Sequence, residues 1–344
     1  MRPSPPRRVL LIQLRRIGDV VLSTALLEHL HRTFPDVRLD FLVGTAAAPL
    51  IAGHPLVHER IVYDPQRALA MWREVRARGY DWVVDVQGSL RTALLARASG
   101  APVRLGWRIG LWRLWYTQAR RRGGAPEYVA RERARLLELA GVPITDTLPR
   151  LYLSPEERER GERDARSAGA VPGVPRVGLL LSTREAVKDW PAERFAAVAA
   201  ALLREGVAPL VLTAPGDAPR VARVRAAAPE AVVLPELQIR RLMGVLATCR
   251  VLVSGDTGPA HIADALDVPR VTVFGATSPV SWMPGTPTAV PVVGRRARVL
   301  GARERGRPPA DADFTGDVTP EVVLAPVRRL LALTADGKRS AASG

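Results

Sequence analysis

Seven consecutive residues, Gly255-Asp256-Thr257-Gly258-Pro259-Ala260-His261, combine the residue types that hold a diphosphate. The apolar run 251–253 leads into them and reads as a buried parallel strand, and residues 262–266 read as the helix that follows. Gly255 and Gly258 let a ligand approach the main chain. Pro259 suits the first position of a helix, and the N–H groups at a helix start attract an anion. Thr257 adds a hydroxyl and His261 a donor or a cation. The same residues also suit an ordinary helix cap by Asp256 or Thr257, with His261 as a core histidine.

Two other strand-to-helix connections carry comparable chemistry. Arg15-Arg16-Ile17-Gly18-Asp19 follows the apolar strand 9–12, so Asp19 stands at a sheet's carboxyl edge. A carboxylate there can take a proton from a hydroxyl; its plainer role is to cap the helix that begins at Val20. Residues 182–191 offer the hydroxyls of Ser182 and Thr183 and the ammonium of Lys188. Lys188 and Lys338 are the only lysines in the chain. A compact ammonium is a good point charge for phosphate, whereas a lone loop lysine is by default merely solvated. Trp190-Pro191 is expected to pack and fix the start of the next helix. Asp85-Val86-Gln87-Gly88-Ser89-Leu90-Arg91 ends another strand, and its polar groups are expected at the same edge as Asp19, unless they only form a sheet-end loop.

Residues 90–122 contain eight arginines and no acid, with Trp107, Trp112, Trp115 and Tyr116 among them. Arginine interleaved with aromatics fits an anionic membrane or a phosphorylated lipid, fits nucleic acid equally, and also fits a solvated basic face. Asp311-Ala312-Asp313 has the form of a metal-binding Asp-x-Asp pair. It lies in a late irregular loop with no strand before it, and no histidine cluster supports it, so no metal site is expected.

These connections need a scaffold that gathers strand ends. Strands are predicted at 9–12, 39–43, 60–62 and 82–86, with helices at 20–34, 46–52, 68–78, 90–98 and 128–140. Ser154-Pro155-Glu156-Glu157 opens a charged helix as a capping box, and residues 168–175 are rich in Ala, Gly and Pro. The alternation then restarts, with strands at 177–181, 210–212, 232–234, 251–253 and 271–274, and helices at 191–204, 220–228, 239–247 and 319–333. Residues 294–316 read as an irregular loop. Alternation of this kind means an α/β fold of two doubly wound parallel sheets. The predicted domains are 1–168 and 169–334, with 335–344 as a disordered tail, and ligands are expected in a cleft between the carboxyl edges of the two sheets.

Composition narrows the function classes. A chain of 344 residues suits about two domains. The net charge of +16 implies an anionic partner, though an arginine- and alanine-rich chain can also reflect genomic base bias. The single cysteine, Cys249, rules out an internal disulfide and a cysteine zinc site. There is no signal-peptide core and no apolar run of membrane-spanning length, so a soluble cytoplasmic protein is expected, able to touch a membrane. No Gly-x-Gly-x-x-Gly follows a predicted first strand, which disfavours a nicotinamide-dependent dehydrogenase. The buried parallel strands argue against a simple nucleic-acid module.

In order and spacing, these segments resemble glycosyltransferase family 9, the heptosyltransferases of lipopolysaccharide core assembly. Residues 9–43 follow that family's opening of strand, Ile-Gly-Asp, helix, Phe-Pro and strand. Asp85-Val86-Gln87-Gly88, Lys188-Asp189-Trp190-Pro191, Ser254 through His261, and Phe274-Gly275-Ala276-Thr277-Ser278-Pro279 match its later motifs. The resemblance implies a GT-B architecture, two Rossmann-like domains, and inverting, metal-independent transfer from a nucleotide-diphosphate sugar, typically ADP-heptose, with no cofactor. It makes Asp19 the catalytic base and gives Lys188 a catalytic share in stabilising the leaving group. Ser182, Thr183, Lys188, Asp256, Thr257, Gly258 and His261 become the donor site. The first domain becomes the acceptor side, with Arg15, Gly18, Gln87, Arg91 and Arg120 toward a glycolipid acceptor, an inner-core sugar on lipid A, at the inner face of the cytoplasmic membrane. Departures are also plain: Ala25 replaces a usual proline, the loop before Lys188 lacks a common Pro-Gly pair, and the late loop lacks cysteines. Two other readings stand beside it: a basic nucleic-acid- or membrane-binding protein on a degenerate fold of this type, and a catalytically dead scaffold. Asp19, Lys188 and Asp256 argue against the scaffold.

Overall fold

The computed structural model describes residues 3–145, 147–306 and 312–342. The chain divides into two compact units, Met1–Tyr152 and Leu153–Gly344. The sequence set the change of domain later, at 168/169. The helix in between, Pro155–Ser167, decides where it belongs by its packing.

In the first unit, strands β1 (Arg8–Gln13), β2 (Arg38–Gly44), β3 (Glu59–Tyr63), β4 (Trp82–Asp85), β5 (Val103–Trp107) and β6 (Gln118–Arg120) form one parallel sheet in the order β3-β2-β1-β4-β5-β6. Helices α1 (Ile17–Ser23), α2 (Ala25–Thr33), α3 (Ala68–Ala77), α4 (Leu90–Ala98) and α5 (Val129–Glu138) complete it. The middle strands are apolar runs because neighbours and helices cover them, and Val9 through Ile12 are fully or almost fully buried. Residues 46–52 form only a short 3-10 turn, Ala48–Ile51, in place of the expected helix.

The second unit opens with α6 (Pro155–Ser167), whose Ser154–Glu157 capping box forms as expected. Strands β7 (Arg176–Leu180), β8 (Ala208–Leu212), β9 (Val232–Leu234), β10 (Val251–Gly255), β11 (Arg270–Phe274) and β12 (Ala289–Val293) make a second parallel sheet, in the order β12-β11-β10-β7-β8-β9. Its other helices are α7 (Ala192–Arg204), α8 (Ala218–Ala227), α9 (Ile239–Leu246), α10 (Gly258–Ala265), α11 (Pro279–Trp282), α12 (Ala302–Gly306) and α13 (Pro320–Ala342). Helix α6 packs on α9 where Gly161 meets Gly244; a Cβ on Gly161 would overlap the Gly244 backbone. Ion pairs Arg240–Glu157 and Arg241–Asp164 reinforce that contact and tie α6 to the second unit. Helix α13 runs on to Ala342, through most of the stretch read as a tail.

Counted from the first strand of each unit, the two sheets have the same order, 3-2-1-4-5-6. The order reverses between β1 and β4 in the first unit and between β7 and β10 in the second. Doubly wound sheets hold ligands at the carboxyl end of that reversal, because the loops on either side of it splay apart. Three strands, β5 and the edge strands β6 and β12, were not foreseen. β6 is three half-buried residues, and β12 carries Pro291 and exposed positions, which suits an edge and erases the hydrophobic run.

Candidate active site

In the first unit the β1–α1 connection turns at Arg16, whose φ of 59° is unusual for a non-glycine residue. That turn places Gly18 and Asp19 in the first turn of α1. The Asp19 carboxylate is not alone. Arg133, buried on α5, donates from Nη2 to Asp19 Oδ1 at 2.5 Å and from Nη1 to the Asp19 carbonyl at 2.6 Å. Arg133 also reaches Ser23 Oγ at 3.3 Å. A fork that grips main chain and side chain together fixes the carboxylate's direction. Its other oxygen, Oδ2, takes no hydrogen bond from a described residue.

Across the reversal, the β4–α4 loop braces the β1 loop. Gln87 Oε1 accepts the Leu14 and Arg15 N–H groups, each at 3.0 Å, and Gln87 Nε2 donates to Ser89 Oγ at 2.9 Å. The Gln87 side chain is thus committed within the protein. Asp85, expected at the ligand edge, is fully buried and holds the loop from below, accepting from Gly88 N–H at 2.9 Å and from Tyr116 OH at 2.6 Å. Burial pushes its carboxyl up to about 6 against the opposing pull of these donors. Arg15, Gln87 and Arg91 line a cavity of about 680 Å³ with Thr45, Tyr63 and Trp72, and Arg91 lies over the Tyr63 ring at 5.6 Å. Gly18 and Arg120 are not part of that lining. Arg120 instead pairs with Glu138 at 3.3 Å.

In the second unit the corresponding loops meet through charge. Lys188, after β7, lies 3.1 Å from Asp256 Oδ2, after β10, and 3.4 Å from Glu185 Oε2. Thr277 donates its hydroxyl to the same Asp256 oxygen at 2.9 Å. Burial would raise Glu185, but Lys188 and Arg305 outweigh it and hold its carboxyl below the ordinary range. Gly255 makes the approach possible, since a Cβ there would sit 2.8 Å from the Lys188 carbonyl oxygen and from Thr183 Cγ2. Thr183 shapes the loop through its N–H to Asp189 Oδ1 at 2.6 Å and its hydroxyl to the Glu185 carbonyl at 2.8 Å; Ser182 is half-buried beside it. Trp190 is buried with its indole N–H on the Val318 carbonyl, which fixes the start of α7 as expected.

Thr257 is the residue before α10, yet its side chain does not cap that helix, and the preceding Asp256 is spent on Lys188 and Thr277. The first turn therefore keeps its capacity for an anion. His261 is buried on α10, its ring against Trp282 with centroids 5.9 Å apart and Nδ1 3.9 Å from Asp264. Beneath it, Arg270 grips Asp264 with two hydrogen bonds of 2.7 and 2.8 Å in a buried ion pair. His261 is thus placed in the core side of the motif.

Residues 68–303 match the model of glycosyltransferase family 9 (heptosyltransferase). The chain belongs to that family. It is 30% identical to lipopolysaccharide heptosyltransferase 1 of Pseudomonas aeruginosa, over 79% of this chain and 79% of that protein. It is 23% identical to lipooligosaccharide heptosyltransferase 2 of Haemophilus influenzae, over 94% and 99%. Among solved structures, a family 9 glycosyltransferase from Veillonella parvula superposes with a TM-score of 0.85 at 24% identity, covering 95% of this chain and 97% of that one. E. coli heptosyltransferase WaaC with ADP-2-deoxy-2-fluoro heptose gives 0.72 at 21%, covering 94% and 99%. The protein is a glycosyltransferase with the GT-B fold, two Rossmann-like doubly wound units.

Within this family 9 enzyme, sequence reasoning missed Arg133 and Thr277 as partners of the chosen acids. Arg133 had left a signal: it occupies the apolar stripe of α5 with Ala130, Ala134 and Leu137, where a lone arginine must find a buried partner. The tryptophans of the basic segment 90–122 fitted an interface among other readings. Trp107 is instead fully buried, donating to the Val86 carbonyl, with Arg122 over its ring at 4.7 Å. Of the Asp-x-Asp pair, Asp313 pairs with Arg296, and Asp311 lies outside the described residues.

Proposed function

We propose that this glycosyltransferase moves heptose from ADP-heptose onto an inner-core sugar of a lipid A-linked acceptor, with inversion and without a metal. The observation that carries the reading is the Lys188–Asp256 pair at the second sheet's reversal, next to the uncapped first turn of α10. Cation and free N–H groups together suit a departing diphosphate. Asp19, held by Arg133, supplies the base in the first unit. An acceptor hydroxyl attacks the anomeric carbon of the donor sugar as Asp19 takes its proton. The bond from that carbon to the diphosphate oxygen breaks, and ADP leaves with the electron pair, its charge balanced by Lys188. The family and the 30% identity to a named lipopolysaccharide heptosyltransferase support heptose over other sugars. The cavity at Arg15 and Arg91 suits an anionic acceptor. A glycolipid acceptor brings the protein to the inner face of the cytoplasmic membrane.

The test is a nucleotide-release screen of ADP-, GDP- and UDP-sugars against lipopolysaccharide core acceptors. Release from ADP-heptose that depends on a heptose-deficient acceptor is expected. Preference for a GDP- or UDP-sugar, or release that no core acceptor stimulates, overturns the assignment.

A further inference from the structure

The five residues Leu111–Trp115 form a 3-10 turn between β5 and β6. With three residues per turn, positions three apart eclipse, so Leu111 and Leu114 share one face and Trp112 and Trp115 another. The tryptophan face points into the first unit: both rings pack on its core, and Trp112 Nε1 donates to the Gly88 carbonyl at 3.3 Å. Arg104 Nε holds the Trp115 carbonyl at 2.7 Å. Gly110 enters the turn at a φ of 56°, where a Cβ would collide with the Trp112 ring. The turn is pinned, yet its leucine face is 79% exposed at Leu111 and 71% at Leu114, the highest values of any large apolar side chain among the described residues. Leucines fixed outward on a rigid support cannot retreat, so their exposure calls for a partner.

The surrounding charge says what kind. Arg108, Arg113 and Arg121 are exposed, and none forms an ion pair with a described residue. Nearby acids are already engaged: Glu138 on α5 by Arg120 and Arg135, Glu127 just before that helix by Arg135, and Glu132 on α5 by the Gly123 N–H, which it accepts at 3.1 Å. Two outward leucines framed by unpaired arginines match the interfacial zone of an anionic bilayer, apolar below and phosphate-bearing above. We propose that the turn Leu111–Trp115 is the membrane-docking element: Leu111 and Leu114 enter the acyl boundary while Arg108, Arg113 and Arg121 engage lipid phosphates. This rests on the glycolipid-acceptor reading and names the surface that would bring the enzyme to it.

The test uses the full chain and vesicles of phosphatidylglycerol with phosphatidylethanolamine, free of any glycolipid, against neutral phosphatidylcholine vesicles. Flotation compares wild type, L111Q/L114Q, and R108Q/R113Q/R121Q. Expected is binding to anionic vesicles only, weakened roughly tenfold or more by the leucine pair and lost with added salt or with the arginine triple. Unfolding midpoints and turnover on a short soluble acceptor should stay at wild-type values in both variants. Wild type that ignores anionic vesicles overturns the proposal, as does a leucine variant that binds them normally. So does a leucine variant that only converts a wild-type oligomer to monomer, which would make a second copy the occupant. Failure of all three proteins to transfer heptose to the soluble acceptor would instead sink the functional assignment and leave the vesicle result standing on its own.

Discussion

At the reversal of the first sheet a neutral amide joins the two loops, whereas at the reversal of the second an ion pair does. Gln87 spends its carbonyl oxygen on the Leu14 and Arg15 N–H groups. Lys188 and Asp256 join side chain to side chain, with Thr277 and Glu185 in attendance. The same topology thus carries two ties that answer differently to charge. An arriving phosphate has no quarrel with an amide, so the loop that leads to Asp19 stays where it is. A diphosphate does compete for Lys188, so donor binding on the proposed reading must loosen the ammonium from Asp256. On that reading, the unit that would supply the base holds still, and the unit that would meet the leaving group exchanges one anion for another.

The largest effect should come from the fixed side. Asp19→Asn keeps the shape and removes the basicity, so turnover should fall on the order of 10²-fold or more, with ADP-sugar affinity little changed by calorimetry. Near-normal turnover in the folded variant would reduce Asp19 to a helix-start residue. On the exchanging side, Lys188→Ala removes a charge-assisted contact to phosphate and should raise donor KM and lower kcat/KM by roughly 10- to 100-fold. EDTA should leave wild-type activity intact. Full, metal-reversible inhibition would contradict the metal-free mechanism and return attention to Asp313. Arg133 offers a finer cut. Arg133→Lys keeps a cation but loses the fork, and Arg133→Met loses both. We expect kcat to fall roughly tenfold for methionine and less for lysine, with donor KM unmoved in both. Equal losses for the two, tracking a common drop in unfolding midpoint, would mean that Arg133 serves stability alone.

Legibility in the sequence followed physical cause. The middle strands of both sheets were readable because burial on two faces demands continuous apolar runs, as in Val9 through Ile12 and Val251 through Val253. The edge strands β6 and β12 were not, since an edge needs no such run. Asp19, Lys188 and Asp256 were readable as polar residues in the connections that follow strands. Their partners were harder: Arg133 lies 114 residues from Asp19, and Thr277 lies 21 from Asp256, distances that only the topology closes. Asp85 and His261 were legible as polar residues in motifs, but pattern alone does not say which way a side chain points, and both point inward. The basic aromatic segment hid its meaning in the same way. Its charge was visible, while the division of labour between inward tryptophans and outward leucines depends on a three-residue period too short to stand out.

The smallest expected effect tests the neutral tie itself. Gln87→Ala removes the acceptor of two N–H groups, while Gln87→Glu keeps an acceptor and loses the donation to Ser89. Leu14 is half-buried and Arg15 exposed, so water can replace much of what alanine takes away. The cost should sit at the low end for lost hydrogen bonds, about 1 kcal/mol, which for a unit of this size lowers an unfolding midpoint by roughly 2–4 °C. Turnover should drop only a few-fold, as the β1 loop and with it Asp19 gain freedom. Glutamate should recover most of the midpoint. Because no charge is involved, the alanine loss should be the same in low and high salt. A loss that shrinks in high salt would show that Arg15 or another charged neighbour carries the bridge. The contrast between an amide tie beside Asp19 and an ionic tie at Lys188 would then fail at its first unit.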